Sequence, residues 1–383
     1  MREAAMSYYY SPVMYGINDV VIPDGDSSFE ARIYYPSEEV EVRDVSILRG
    51  TFPLVAFAHG DRRAERSLCP TDITGDYKRW GAVLHLLARC GFVVISPAMH
   101  DVLSDSEASA IRIEKAIKWI RGFWPKRSVL HLPPLVYMDP DVMAAAAPDT
   151  PAEKAQSKKA VDQQPSARFD RADLARLGLG VGPDVLAPIG PPTALGVAGH
   201  SWGARAAARV AARGQVDVEV IGSVAGSWDE NASIRAFIDA QVPTVMIVGS
   251  DDFLNASYLA GMWSALAIPK HQAMIQGLGH WDWFSDFGGI EPCNPSAPRP
   301  GCRVGWQTAS ELLLGFMTKY LYNHWWRPPY LLGSAGSRPP LIHWYTQTGP
   351  CAIKIRWNDP TYTGSLGSAG DVTLGNWTAP SPW

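Results

Sequence analysis

The five residues Gly199-His200-Ser201-Trp202-Gly203 constrain this chain more than any other segment, because of what flanks them. The apolar run Leu195-Gly196-Val197-Ala198 leads in, and the helix-forming run Ala204 to Arg213 leads out. Strand, sharp turn and helix, in that order, turn a G-x-S-x-G match into a nucleophile elbow, a strained bend that lifts a serine hydroxyl above the end of a sheet. Glycines on both sides keep side chains from colliding in the bend. Ser201 is therefore the candidate nucleophile.

Around this segment, apolar runs alternate with helical patterns, the rhythm of a mainly parallel sheet covered by helices on both faces. Val20-Ile22 and Phe29-Tyr35 come first. In the latter, Glu30 and Arg32 alternate with Phe29, Ala31 and Ile33, which predicts an edge strand with one wet face. Leu54-Ala58, Phe92-Ser96, Val218-Ala225, Thr244-Val248 and Gln272-Gln276 read as further strands. Helices are predicted over Tyr77-Arg89, with Trp80, Val83, Leu84 and Leu87 on one stripe, and over Ser257-Leu266 and Ser310-Tyr322. Arg205, Arg209 and Arg213 share one helical face and read as a solvated stripe.

The pattern defines a main α/β domain over about residues 16–326, interrupted before the elbow by an insertion at about 125–192. Within that insertion, residues 144–165 are small, polar and Pro-bearing, and read as a mobile surface segment. Residues 327–383 form a Pro-, Gly- and Trp-rich extension, expected to be β-rich and packed on the main domain. In it, Ala352 to Trp357 alternates as a strand does.

A serine hydroxyl is a weak nucleophile and needs a base, which in turn needs an orienting acid. The runs ahead of Asp252 and His280 place both at the carboxyl ends of strands, where open α/β sheets build their sites. His280 is the candidate base. Asp252 is preferred as the acid because the G-x-x-D spacing leaves room for a turn; Asp251 and Asp229 remain alternatives. The N–H groups of Trp202 and of Asp61, in the turn after Leu54-Ala58, are candidate donors to a developing oxyanion. Trp228, Phe253 and Trp281 are expected to line an apolar pocket.

With 46% hydrophobic and 19% charged residues and a net charge of −4, the 383-residue chain is of ordinary globular composition. That charge argues against nucleic acid as a partner, and no run approaches the ~20 apolar residues of a membrane span. The N-terminus lacks an apolar signal core, which predicts a cytoplasmic protein. No C-x-x-C pair suggests zinc, and the chemistry requires no metal or organic cofactor. Cys293 and Cys302 flank a Pro-rich loop, as a local disulfide or as free thiols according to compartment.

On these residues the chain resembles the α/β-hydrolases. It is most similar to the branch that holds dienelactone hydrolases, chlorophyllases, platelet-activating-factor acetylhydrolases and cutinase-like polyester hydrolases. The resemblance covers about Asp19 to Tyr322, through His59-Gly60, the Leu87-Val94 join, the Gly199-Gly203 elbow, Gly249 to Asp252 and Gly279-His280. It implies a serine esterase acting on a small or lipid-like ester through an acyl-enzyme. An acyltransferase or amidase using the same triad, and a silent ligand-binding scaffold, are the alternatives. Two departures bear on substrate. Serine stands where dienelactone hydrolases have cysteine. Trp202 replaces a smaller residue, which predicts a narrow pocket and short or medium acyl chains.

Overall fold

A computed structural model describes residues 14–37, 52–61, 76–78, 80–89, 91–123, 194–226, 235–236, 239–252, 259–280, 305–321, 352–360 and 368–378. Its centre is a ten-stranded mixed sheet in the order β1-β2-β4-β3-β5-β6-β7-β8-β9-β10. The strands are β1 (Met14–Asp24), β2 (Ser27–Ser37), β3 (Leu54–Ala58), β4 (Val93–Pro97), β5 (Leu195–His200), β6 (Val220–Val224), β7 (Thr244–Gly249), β8 (Lys270–Ile275), β9 (Ile353–Asn358) and β10 (Ala369–Leu374). The six strands β4-β3-β5-β6-β7-β8 run parallel, and an antiparallel pair closes each side.

Burial on both faces explains why the parallel strands are continuously apolar. In β3, all five residues of Leu-Val-Ala-Phe-Ala are buried. Leu54, Ala56 and Ala58 face one core, shared with helices α2 (Ser106–Phe123), α3 (Trp202–Arg213) and α4 (Leu259–Ala265). Val55 and Phe57 face the other, with α1 (Gly81–Arg89) and α5 (Gly305–Leu321). The stripe Trp80, Val83, Leu84 and Leu87 is buried in that second core, as its spacing predicts. Gly214, at a φ of 62°, ends α3 in a left-handed cap whose N–H bonds the Ala211 carbonyl.

Two local readings change. β2 is not an edge strand, because β1 pairs along its full length and β4 takes its other side. Its polar residues are half-buried and partnered: Arg32 bonds Asp19 directly across the pair at 2.7 Å, and Glu30 accepts from the Tyr77 hydroxyl at 2.6 Å. Nor is the α3 arginine face a solvated stripe. Arg205 is buried, and α2 lies opposite with its acids: Arg209 bonds Glu107 at 2.9 Å, Arg213 bonds Glu114 at 2.6 Å and also pairs with Glu107. Helical periodicity identifies a shared face but not what packs against it.

The C-terminal strands join the central sheet directly. β9 pairs with β8 over six residues, and its inward-outward alternation is the one visible in Ile353-Lys354-Ile355-Arg356-Trp357. At the foot of β9 the fully buried Asp359 carboxylate accepts from His271 at 3.0 Å and Tyr320 at 2.8 Å, and pairs with Lys319. At the top, Gln276 and Thr378 bond reciprocally, the Gln276 amide donating at 2.7 Å and its oxygen accepting at 2.8 Å. Both ends of the hairpin are thus fastened to the strand that leads to His280.

Burial lowers the pKa of His271 below 6.5, outweighing its hydrogen bond to Asp359. Below about pH 6.5 the folded state therefore binds fewer protons at this site than the unfolded chain, and stability falls as pH drops. His271→Gln removes this dependence. Between pH 6.5 and 5, its unfolding free energy should fall less steeply than that of the wild type, by up to about 1.4 kcal/mol per pH unit. Parallel slopes in urea titrations would contradict the assignment.

Candidate active site

The chain steps from β3 out to β4 and then back across β3 to β5, so the strand order reverses at the β3/β5 pair. In open α/β sheets, a crevice forms outside the carboxyl ends at such a switch point. The segments leaving β3, β5, β7 and β8 meet there.

Ser201 follows β5 with φ 55° and ψ −121°, a region that non-glycine residues rarely occupy. Its surroundings over-determine it, as such strain requires. The Ser201 N–H donates to the Val224 carbonyl at 3.0 Å, and the Ser201 carbonyl accepts from Ala204 N–H at 3.1 Å. A Cβ on Gly203 would lie 2.5 Å from the His59 carbonyl oxygen and closer still to that of Ala58. A Cβ on Gly199 would lie 2.7 Å from the Ala204 nitrogen and nearer to the Gly203 backbone. Glycine at 203 lets α3 start this close to the end of β3, and glycine at 199 lets it fold back this close to β5.

His280 arrives from β8 through Gln276 to Gly279. Its Nε2 accepts from the Ser201 hydroxyl at 2.8 Å. Its Nδ1–H donates to Asp252, with the two carboxylate oxygens at 3.1 and 3.0 Å. The three residues are at most 3% exposed, so the bonds between them are shielded from bulk water. The acids after β7 separate cleanly. Asp252 turns inward to His280, whereas Asp251 is exposed and accepts from Ser250 at 2.8 Å. Ser250 in turn accepts from the Gly277 N–H at 2.8 Å, tying the Asp252 turn to the segment that leads to His280. Gly249 strengthens that tie, since a Cβ there would lie 2.9 Å from that of Leu278 and closer to its carbonyl.

The turn after β3 also reaches the site. A Cβ on Gly60 would fall 2.9 Å from that of Ser201, so the backbone leading into Asp61 abuts Ser201. His59 holds that turn, with Nδ1–H donating to the Gly60 carbonyl at 2.8 Å and Nε2 accepting from Met99 N–H at 3.0 Å. Trp202 opens α3, placing its N–H beside Ser201. Its half-buried ring stacks 4.5 Å from the Arg205 guanidinium and packs on the α2/α3 core. Trp228, Phe253, Trp281, Asp229, Cys293, Cys302 and the insertion at 125–192 lie outside the described residues.

Sequence reasoning missed His59 and His200. The available signal was that each is a polar residue at the end of a fully apolar strand, where burial demands a partner. Among the described residues, no group of three His, Cys, Asp or Glu side chains is placed to hold a metal, and no helix is long and apolar enough to cross a membrane. No protein-family model matches the chain, and no curated protein shows significant similarity to it.

The glycine contacts are directly testable. Gly203→Ala should lower stability by about 1–3 kcal/mol or more, because backbone blocks the added methyl. Gly122→Ala, at a helical glycine with open space around it, should instead be neutral or stabilising by up to about 1 kcal/mol. Equal thermal midpoints for the two variants would contradict the close approach.

Proposed function

We propose that this chain is a serine hydrolase of carboxylic esters, with an α/β-hydrolase fold. The observation that carries the reading is the continuous bond from Ser201 through His280 to the buried Asp252. Further support comes from the chain order serine, aspartate, histidine and from the strained elbow, the arrangement that fold uses. The site also lies at the switch point, where open α/β sheets characteristically bind their ligands.

The Ser201 Oγ attacks the ester carbonyl carbon while His280 Nε2 takes its proton. Asp252 stabilises the resulting imidazolium and keeps the ring in the orientation that aims Nε2 at Ser201. Negative charge on the carbonyl oxygen is met by the N–H groups of Trp202 and Asp61, and by the amino end of α3. Collapse of the tetrahedral adduct breaks the bond to the alcohol oxygen, which leaves with the proton from His280. Water, deprotonated by the same nitrogen, then attacks the acyl-enzyme. The acid departs and Ser201 regains its proton. The bulk of Trp202 beside the nucleophile favours short and medium acyl chains.

Hydrolysis of p-nitrophenyl butyrate tests this directly. Ser201→Ala should fall to background. Asp252→Asn should lose roughly 10³–10⁴-fold in kcat, while Asp251→Asn stays within about threefold of wild type, since its carboxylate touches no reacting group. Activity surviving in Ser201→Ala, or equal losses at the two aspartates, would overturn the reading. Across a p-nitrophenyl ester series, kcat/KM should decline from medium to long acyl chains; fastest turnover of a long-chain ester would contradict the role given to Trp202.

A further inference from the structure

His200 lies between the first glycine and the serine of the elbow, and the bond-making steps above do not use it. Its side chain is fully buried. Nε2 lies 2.8 Å from the backbone carbonyl oxygen of His280, which can only accept, so Nε2 carries the ring proton and donates it. The ring centroid is 5.0 Å from that of His280 and 4.9 Å from that of Trp80. On its other side Nδ1 faces the turn after β3, where a Cβ on Gly60 would come within 2.5 Å of it. Burial, reinforced by the neighbouring His280, holds the imidazole well below its ordinary pKa and therefore neutral.

Of the two side-chain bonds of His280, only the one to Asp252 persists through a reaction. The proton on Nε2 comes and goes, so the bond to Ser201 is remade at each step. His280 also follows Gly277-Leu278-Gly279, a segment with two residues of high backbone freedom. A bond to the His280 main chain persists whether the imidazole is neutral or charged. A neutral donor suits the task, because a charged ring 5.0 Å away would oppose formation of the His280 imidazolium.

We infer that His200 is a positioning residue: its Nε2–H bond to the His280 carbonyl fixes the base against Ser201, and its ring spaces that loop from the Gly60 turn. The inference rests on the reading of Ser201, His280 and Asp252 as a catalytic relay. Glutamine at position 200 retains an N–H donor of similar reach, whereas leucine retains bulk without one.

The test compares His200→Leu and His200→Gln with wild type in p-nitrophenyl butyrate hydrolysis. His200→Leu should lose about 10–100-fold in kcat, as a sub-ångström to 1 Å misplacement of a catalytic group does, with KM changed less than about twofold. His200→Gln should recover most of that loss. If wild type is active and His200→Leu matches its kcat, or His200→Gln is as slow as His200→Leu, the positioning role is overturned and the relay stands. A wild type that turns over no ester overturns the relay itself. Should His200→Leu fail to fold, nitrogen-15 spectra of the wild-type histidine rings decide the point. A neutral His200 protonated on Nε2 at pH 7 is expected, and a charged or Nδ1-protonated ring would overturn the inference.

Discussion

Gly203 presses against the carbonyl oxygens of Ala58 and His59, with no room for even a methyl group between α3 and the end of β3. This approach forces the chain to leave β5 through Ser201 at a positive φ and to enter a helix at once. The serine hydroxyl then stands over the sheet edge, and the Gly60 turn comes within a side chain's thickness of it. Strain at Ser201 costs on the order of 1–3 kcal/mol. The wide buried sheet around it, with two helical layers, offsets that many times over.

The remaining site groups are held by contacts between loops rather than by the loops' own sequences. Gly249 against Leu278, and Ser250 bonding Gly277, lock the Asp252 turn to the His280 segment. The C-terminal hairpin adds a further hold. β9 pairs along all of β8, Asp359 fastens one end, and Thr378 clasps Gln276 four residues before His280. Trp377 packs on Val248 and Met274, in the two strands that carry Asp252 and His280. A segment that reads as an appendage is thus part of the support for the proposed base.

Local chemistry and periodicity made much of this legible in advance. Ser201, Asp252 and His280 could be picked out because each follows a buried strand, and the structure brings the three into one bonded line. Preference for Asp252 over Asp251 rested on one residue of spacing, which is the difference between facing inward and facing solvent. What escaped was non-local. The status of β2 depends on β1 and β4 lying either side of it. The arginine face of α3 depends on Glu107 and Glu114 of α2, about a hundred residues away. His200 was passed over because the motif treats its position as free, while its partner is the backbone of a residue eighty positions later.

The proposed reaction depends above all on activation of Ser201 by His280 at this sheet edge. Intact-mass and peptide mapping after exposure to a fluorophosphonate tests it without knowledge of the natural substrate. One adduct on Ser201 is predicted, forming at least about a hundredfold more slowly in His280→Ala, since a serine without its base is a weak nucleophile. Folded protein that takes up no label, or that labels at a different serine, would contradict the account.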